Sequence, residues 1–124
     1  MASFFAYGSL IFDPVVRAVT GRTFEGHPAT LEGYARYQVS GATYPGLIPA
    51  AGQSVAGTIY MEVTDSALRR LDQFEGRYYE RTTVTVRIGN GAEEPAETYI
   101  FREAYRHVLS LEAWDAKTFQ RDCL

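Results

Sequence analysis

The sequence predicts an α+β fold: a small mixed, strongly curved β-sheet or barrel with few short helices. Three observations lead there. Strand-like runs dominate the chain, and the first of them, Ser3 to Tyr7, is short, apolar and stopped by Gly8. Helical periodicity is confined to a few short stretches. The element order is strand, helix, several strands, helix, hairpin, helix, with no internal repeat and no linker.

Asp13-Pro14 starts the first helix, with Asp as N-cap and Pro at the first helical position. Val15, Val16 and Val19 give it an apolar face, and Gly21 suits its end. His27 to Val39 alternates loosely and is interrupted by Gly33, so two strand segments, 27–33 and 34–39, meet at a bend or bulge. Gly41 to Gly52 contains Tyr44-Pro45-Gly46 and Pro49 and reads as a loop. Ser54 to Val63 is rich in β-branched and aromatic residues and reads as a strand.

Asp65 can cap the second helix, where Ala67, Leu68, Leu71 and Phe74 share one face and Gly76 ends the run. Tyr78 to Ile88 is the longest expected strand. Gly89-Asn90-Gly91 signals a hairpin whose turn can reach Pro95, with Ala96 to Arg102 returning. The tail from Leu111 to about Asp122 is expected to be a helix carrying Trp114 and Phe119.

The 124 residues suit one domain, 1–124, large enough to bury roughly two thirds of the unfolded surface. Charged residues at 22% and hydrophobic residues at 46% are ordinary globular usage and argue against disorder. A net charge of −3 gives no basic footprint for nucleic acid. Lys117 is the only lysine, and the arginines are scattered among acids. The one cysteine, Cys123, permits no disulfide within the chain, which fits a reducing, cytoplasmic setting; without a neighbouring His it reads as an incidental thiol. No basic leader precedes a long apolar run, and no apolar stretch approaches about 18 residues, so neither export nor a membrane partner is expected.

Two places can carry chemistry. At Tyr7-Gly8-Ser9-Leu10 a strand gives way to a helix-bearing segment, and backbone N–H groups exposed there can cradle a carboxylate, or the glycine simply makes a turn. At Leu71-Asp72-Gln73-Phe74-Glu75-Gly76, Glu75 falls near the apolar face of the helix. An acid there is either partly desolvated, its pKa raised towards general-base range, or an ordinary exposed last-turn Glu. Tyr79 and Arg81 share one strand face, and Arg81 can steady a carboxylate or make a structural ion pair. His27 and His107 have no partners at metal-ligand spacing, and no zinc, nucleotide or P-loop pattern is present, so no metal or cofactor is expected.

The motifs in order are more informative than any one of them. Phe4-Phe5-Ala6-Tyr7-Gly8-Ser9-Leu10 is followed by Ala29-Thr30-Leu31-Glu32-Gly33-Tyr34 and Tyr44-Pro45-Gly46-Leu47-Ile48-Pro49. Val55-Ala56-Gly57-Thr58-Ile59-Tyr60 and Leu71 to Gly76 come next, then Tyr79, Arg81 and Trp114-Asp115. This series closely resembles the gamma-glutamylcyclotransferase-like superfamily, in particular its AIG2-like branch, over nearly the whole chain.

The resemblance implies a barrel-like α+β fold and a pocket in which the Tyr7–Leu10 loop holds a glutamyl group. Ile11 and Phe12 extend the loop match and are expected to line the same cavity, with Tyr79 and Arg81 supporting it. The matching proton acceptor is Glu75. The implied reaction cyclises a γ-glutamyl amine or γ-glutamyl amino acid to 5-oxoproline and releases the amine, without metal or cofactor. The expected partner is therefore a small γ-glutamyl substrate. A non-catalytic carboxylate-binding domain on the same fold is the alternative; a protein-interaction role rests only on the 14% aromatic content.

Overall fold

Six strands form one sheet in the computed structural model, which describes residues 1–124 except for the side chain of Leu111. They are β1 (Ala2–Ala6), β2 (Gly26–Val39), β3 (Pro45–Val63), β4 (Tyr79–Ile88), β5 (Glu93–Phe101) and β6 (Leu109–Ala113). The helices are α1 (Asp13–Thr20), α2 (Asp65–Glu75) and α3 (Ala116–Cys123), with 3-10 turns at Ser9–Ile11 and Glu103–Val108. The strand order is β3-β1-β5-β4-β2-β6, and β2 also pairs with β3. That extra pairing closes a five-stranded barrel of β3, β1, β5, β4 and β2, with β6 attached to the upper part of β2. Every pairing is antiparallel except β1 with β5. The mixed, curved sheet expected from the sequence is therefore present, and it closes.

Alternation along the strands divides the core in two. Phe5, Tyr7, Leu31, Leu47, Val55, Ile59, Val84, Val86 and Ala96 come from the strands and the end of β1 and fill the barrel. Phe4, Tyr60, Tyr79, Tyr99 and Phe101 face the other way and pack against Leu10, Val16, Leu68 and Leu71. Neighbouring residues of β1 thus serve opposite sides of one wall.

The β1–β5 seam is short in register, with Phe4 opposite Glu97. Side chains complete it. The Thr98 hydroxyl donates to the Phe5 carbonyl at 2.8 Å, and the Tyr7 hydroxyl donates to the Tyr99 carbonyl at 2.6 Å, both buried.

Several local expectations need correction. Residues 45–52 are not loop: they form the first part of β3, with 45–49 opposite residues 34–38 of β2. Both prolines sit where a missing N–H is tolerated, Pro45 at the strand start and Pro49 beside an irregularity. Glu32 pairs with Ser54 and Tyr34 with Pro49, so residue 33 alone faces residues 50–53: the extra residues lie on β3, while Gly33, whose φ of 84° needs glycine, takes the bend on β2. Residues 27–39 consequently make one bent strand.

Helix α1 begins after Phe12, whose carbonyl accepts from Val15 and Val16; Asp13 is inside the first turn and is not the cap. Thr64, not Asp65, caps α2, its hydroxyl accepting from the Ala67 amide at 3.2 Å. The hairpin turn closes at Ala92, and Pro95 lies inside β5 opposite Thr85. The segment 109–113 is strand β6 and not helix, because it finds the free side of β2. Helix α3 starts only at Ala116, capped by Asp115. Among the described residues no helix is long and apolar enough to cross a membrane.

Thr98 is fully buried, so Thr98→Val keeps its shape but leaves the Phe5 carbonyl without that donor. The substitution is expected to cost about 1–3 kcal/mol, read as a lower denaturant midpoint with an unchanged slope.

Candidate functional site

The barrel wall, the end of β1 and the end of α2 meet around a cavity of about 410 Å³. A volume of this order suits a small metabolite. Tyr7, Gly8, Ser9 and Leu10 line it from one side, and Glu75, Tyr79 and Tyr99 from another. The two sequence regions singled out above, more than sixty residues apart, therefore share one pocket.

The turn after β1 has a specific backbone arrangement. The Gly8 carbonyl accepts from the Ile11 amide at 3.0 Å and the Ser9 carbonyl from the Phe12 amide at 3.3 Å. The amides of Gly8, Ser9 and Leu10 have no partner of this kind among the described residues. A turn with successive unpaired N–H groups is a concavity for an anion. A Cβ on Gly8 would come within 2.9 Å of the Pro45 ring, so glycine lets β3 and the turn approach.

One cation braces the turn from behind. Arg36 of β2 donates from Nη1 to the Tyr7 carbonyl at 2.6 Å and to the Ala56 carbonyl at 3.3 Å. Its guanidinium lies 5.0 Å from the Trp114 ring. Bonding a guanidinium to the Tyr7 carbonyl fixes the Tyr7–Gly8 peptide and with it the direction of the Gly8 N–H.

Glu75 is half-buried at the last residue of α2. Burial pushes its carboxyl up to about 8. Among the described residues no salt bridge or hydrogen bond engages it, which leaves desolvation uncompensated. Tyr7, Tyr79 and Tyr99 are all raised above the ordinary phenol range, chiefly by burial, and the charge of Glu75 adds to each. Their hydroxyls are spent on structure. Tyr79 donates to the Pro45 carbonyl at 2.6 Å and Tyr99 to Asp72 Oδ1 at 2.6 Å, while Tyr7 is bound as described. Of these four groups, the carboxyl is the one left for chemistry.

Arg81 does not line the cavity. Its Nε sits 3.1 Å from Asp72 Oδ1 and its Nη1 3.4 Å from Glu97. Asp72 lies three residues before Glu75 on the same helix face and also receives the Tyr99 hydroxyl. Arg81 and Tyr99 thereby clamp the last turn of α2, so the arginine supports the pocket indirectly. Ile11 and Phe12 are also outside the lining, because the 3-10 turn carries them away from it. Phe12 instead stacks on Phe119, at 5.8 Å between ring centroids, and Phe119 lines the cavity.

Sequence reasoning missed Arg36, Asp72, Tyr99 and Pro45. Asp72 and Pro45 stand inside motifs already singled out; Arg36 and Tyr99 act across the fold with no local signal.

The model of the gamma-glutamyl cyclotransferase, AIG2-like family matches residues 4–116. An Arabidopsis thaliana AIG2-like protein D is 39% identical over 98 residues, covering 79% of this chain and 64% of its own length. The chain thus spans less than two thirds of that curated relative. A solution structure from Arabidopsis thaliana superposes with a TM-score of 0.79 at 30% identity, covering 97% of this chain and 73% of the other. A structure described as a gamma-glutamyl cyclotransferase superposes with a TM-score of 0.70 at 22% identity, covering 82% and 66%. That last likeness concerns the fold.

The raised pKa of Glu75 fixes a sign for stability. The folded state keeps the proton above the ordinary 4.5, so stability is whole below that pH and declines as pH rises towards about 8. Glu75→Gln removes this penalty. Its melting temperature is expected to match wild type near pH 4.5 and to exceed it above pH 8 by on the order of a few degrees. A pH-independent difference would contradict the burial of the carboxyl.

Proposed function

The chain belongs to the gamma-glutamyl cyclotransferase, AIG2-like family, and from that premise we propose that it cyclises a γ-glutamyl amine or γ-glutamyl amino acid to 5-oxoproline. The observation that supports this most is one carboxyl, raised to about 8, in the same cavity as a turn of unpaired amides.

The substrate's chemistry suits these groups. A γ-glutamyl compound carries its nucleophile, the α-amine, a few bonds from its own amide carbon. Holding it folded makes the attack intramolecular, with a large proximity advantage. The amides of Gly8, Ser9 and Leu10 grip the α-carboxylate or the oxyanion that forms on the γ-carbonyl. Glu75, as carboxylate, takes a proton from the α-ammonium. The freed nitrogen attacks the γ-carbon to form the ring bond. Glu75 then returns the proton to the departing nitrogen as the amide bond breaks, and, as carboxylate again, passes on the second proton that the ring nitrogen sheds in becoming the lactam N–H, so that the amine leaves as ammonium. Atoms balance without water: one γ-glutamyl compound gives 5-oxoproline and one amine.

A carboxylate whose conjugate acid has a pKa near 8 suits this exchange. A stronger acid would hold the ammonium as an ion pair and take its proton reluctantly. A weaker one would be ionised in a still smaller fraction at neutral pH.

Two outcomes are expected when 5-oxoproline release is followed on γ-glutamyl compounds. For wild type, kcat/KM falls about tenfold per pH unit below a limb near pH 8. For Glu75→Gln, single-turnover rates drop by about 100- to 10,000-fold and that limb disappears, while the fold is kept. Near-normal turnover in Glu75→Gln would remove Glu75 from the role of base. No turnover of any γ-glutamyl compound by wild type would favour a carboxylate-binding module instead.

A further inference from the structure

The lining of the cavity has a buried and an exposed part. Tyr44, Phe74, Tyr78 and Phe119 are aromatic lining residues that reach solvent and make up the exposed part, the mouth. Apart from Met1 and Leu124 at the chain ends, the exposed large hydrophobic side chains among the described residues are Tyr44, at 39%, and Phe74, at 51%. Both line this mouth. Apolar surface left in water and gathered at one opening marks a place that a ligand covers.

The other two rings are held in place. Phe119 stacks on Phe12 and packs 5.7 Å from Trp114. Tyr78 packs 4.8 Å from Tyr105 and 5.8 Å from Phe101. The mouth therefore joins two fixed rings to two exposed ones.

Charge limits what enters. Among the described residues no Lys, Arg or His lines the cavity. Arg36 is spent on the Tyr7 and Ala56 carbonyls, and Arg81 on Asp72 and Glu97. Arg77 lies over the Tyr78 and Tyr105 rings at 5.7 and 5.9 Å, outside the lining. The one charged side chain in the lining is acidic. A second carboxylate on the substrate would meet aromatic faces and Glu75, with no cation to pair with.

Resting on the cyclotransferase reading, we propose that the leaving amine taken by this site carries an aromatic group and no carboxylate. Phe74 directly precedes Glu75, so the aromatic mouth begins where the departing nitrogen collects its proton. The bonds exchanged are those given above: the α-nitrogen joins the γ-carbon, the γ-carbon releases the arylalkyl amine, and Glu75 supplies that amine's proton.

Three compounds test this: the γ-glutamyl conjugates of methylamine, benzylamine and phenylalanine. The last two share the benzyl group, to which phenylalanine adds the α-carbon and its carboxylate. For wild type, kcat/KM for the benzylamine conjugate is expected to exceed that for the methylamine conjugate about tenfold or more, from burial of the ring. It is expected to exceed that for the phenylalanine conjugate by a similar factor. In Phe74→Ser, and independently in Tyr44→Ser, the benzylamine-to-methylamine ratio falls several-fold; both residues are exposed, and melting verifies the fold. Equal rates for benzylamine and methylamine conjugates, or a preference for phenylalanine, would overturn the proposal while leaving the cyclotransferase reading intact. If none of the three yields 5-oxoproline, the reaction itself is in error. Calorimetric binding then decides the mouth's preference: tightest binding of the benzylamine conjugate supports it, and equal affinities overturn it.

Discussion

Strand β1 is five residues long, and both the barrel and the cavity depend on how it is held. It lies between β3, to which it is antiparallel, and β5, to which it is parallel. Phe4 and Phe5 point to opposite sides, one towards the helices and one into the barrel. The parallel seam needs the hydroxyls of Thr98 and Tyr7 to complete it. Where β1 ends, the chain must turn against Pro45 of β3, which is why glycine stands at position 8. The unpaired amides of the turn follow from that geometry.

Helix α2 brings the complementary group. Its apolar face packs Leu68 and Leu71 into the core, and its last turn is fixed by Asp72, held by Tyr99 and Arg81. Glu75 then has no alternative to the cavity and no cation within it. The cost of desolvating a carboxylate is paid in stability above pH 4.5 and returned as basicity near pH 8. Amides that attract an anion and a carboxyl that attracts a proton stand at one small site. A zwitterionic α-amino acid head group matches both.

Much of this was legible from local pattern. The strand-turn at Tyr7–Leu10 and the amphipathic helix ending at Glu75 are local features, and the chain writes them plainly. Pairing was not legible. Residues 45–52 look like loop because Pro45, Gly46, Pro49 and Gly52 carry turn signals, yet β2 pairs with 45–49, and residues 50–53 bulge on β3 opposite residue 33. Segment 109–113 becomes strand only beside β2. The caps of α1 and α2 fall one residue earlier than expected, since an extended residue next to the first turn decides the boundary. Ile11 and Phe12 extend the loop match that the family resemblance rests on, but the cavity lining includes the loop only as far as Leu10. Arg36 meets the Tyr7 carbonyl across 29 positions of chain, a contact with no sequence signature.

The central claim is that the Gly8–Leu10 amides and the Glu75 carboxyl act on one molecule. A crystal structure of the protein with 5-oxoproline tests this most directly. The predicted result has the ligand carboxylate on the amides of Gly8, Ser9 and Leu10 and the ring nitrogen within hydrogen-bond distance of Glu75. A ligand bound away from that turn, or seated there with its ring nitrogen turned away from Glu75, would contradict it.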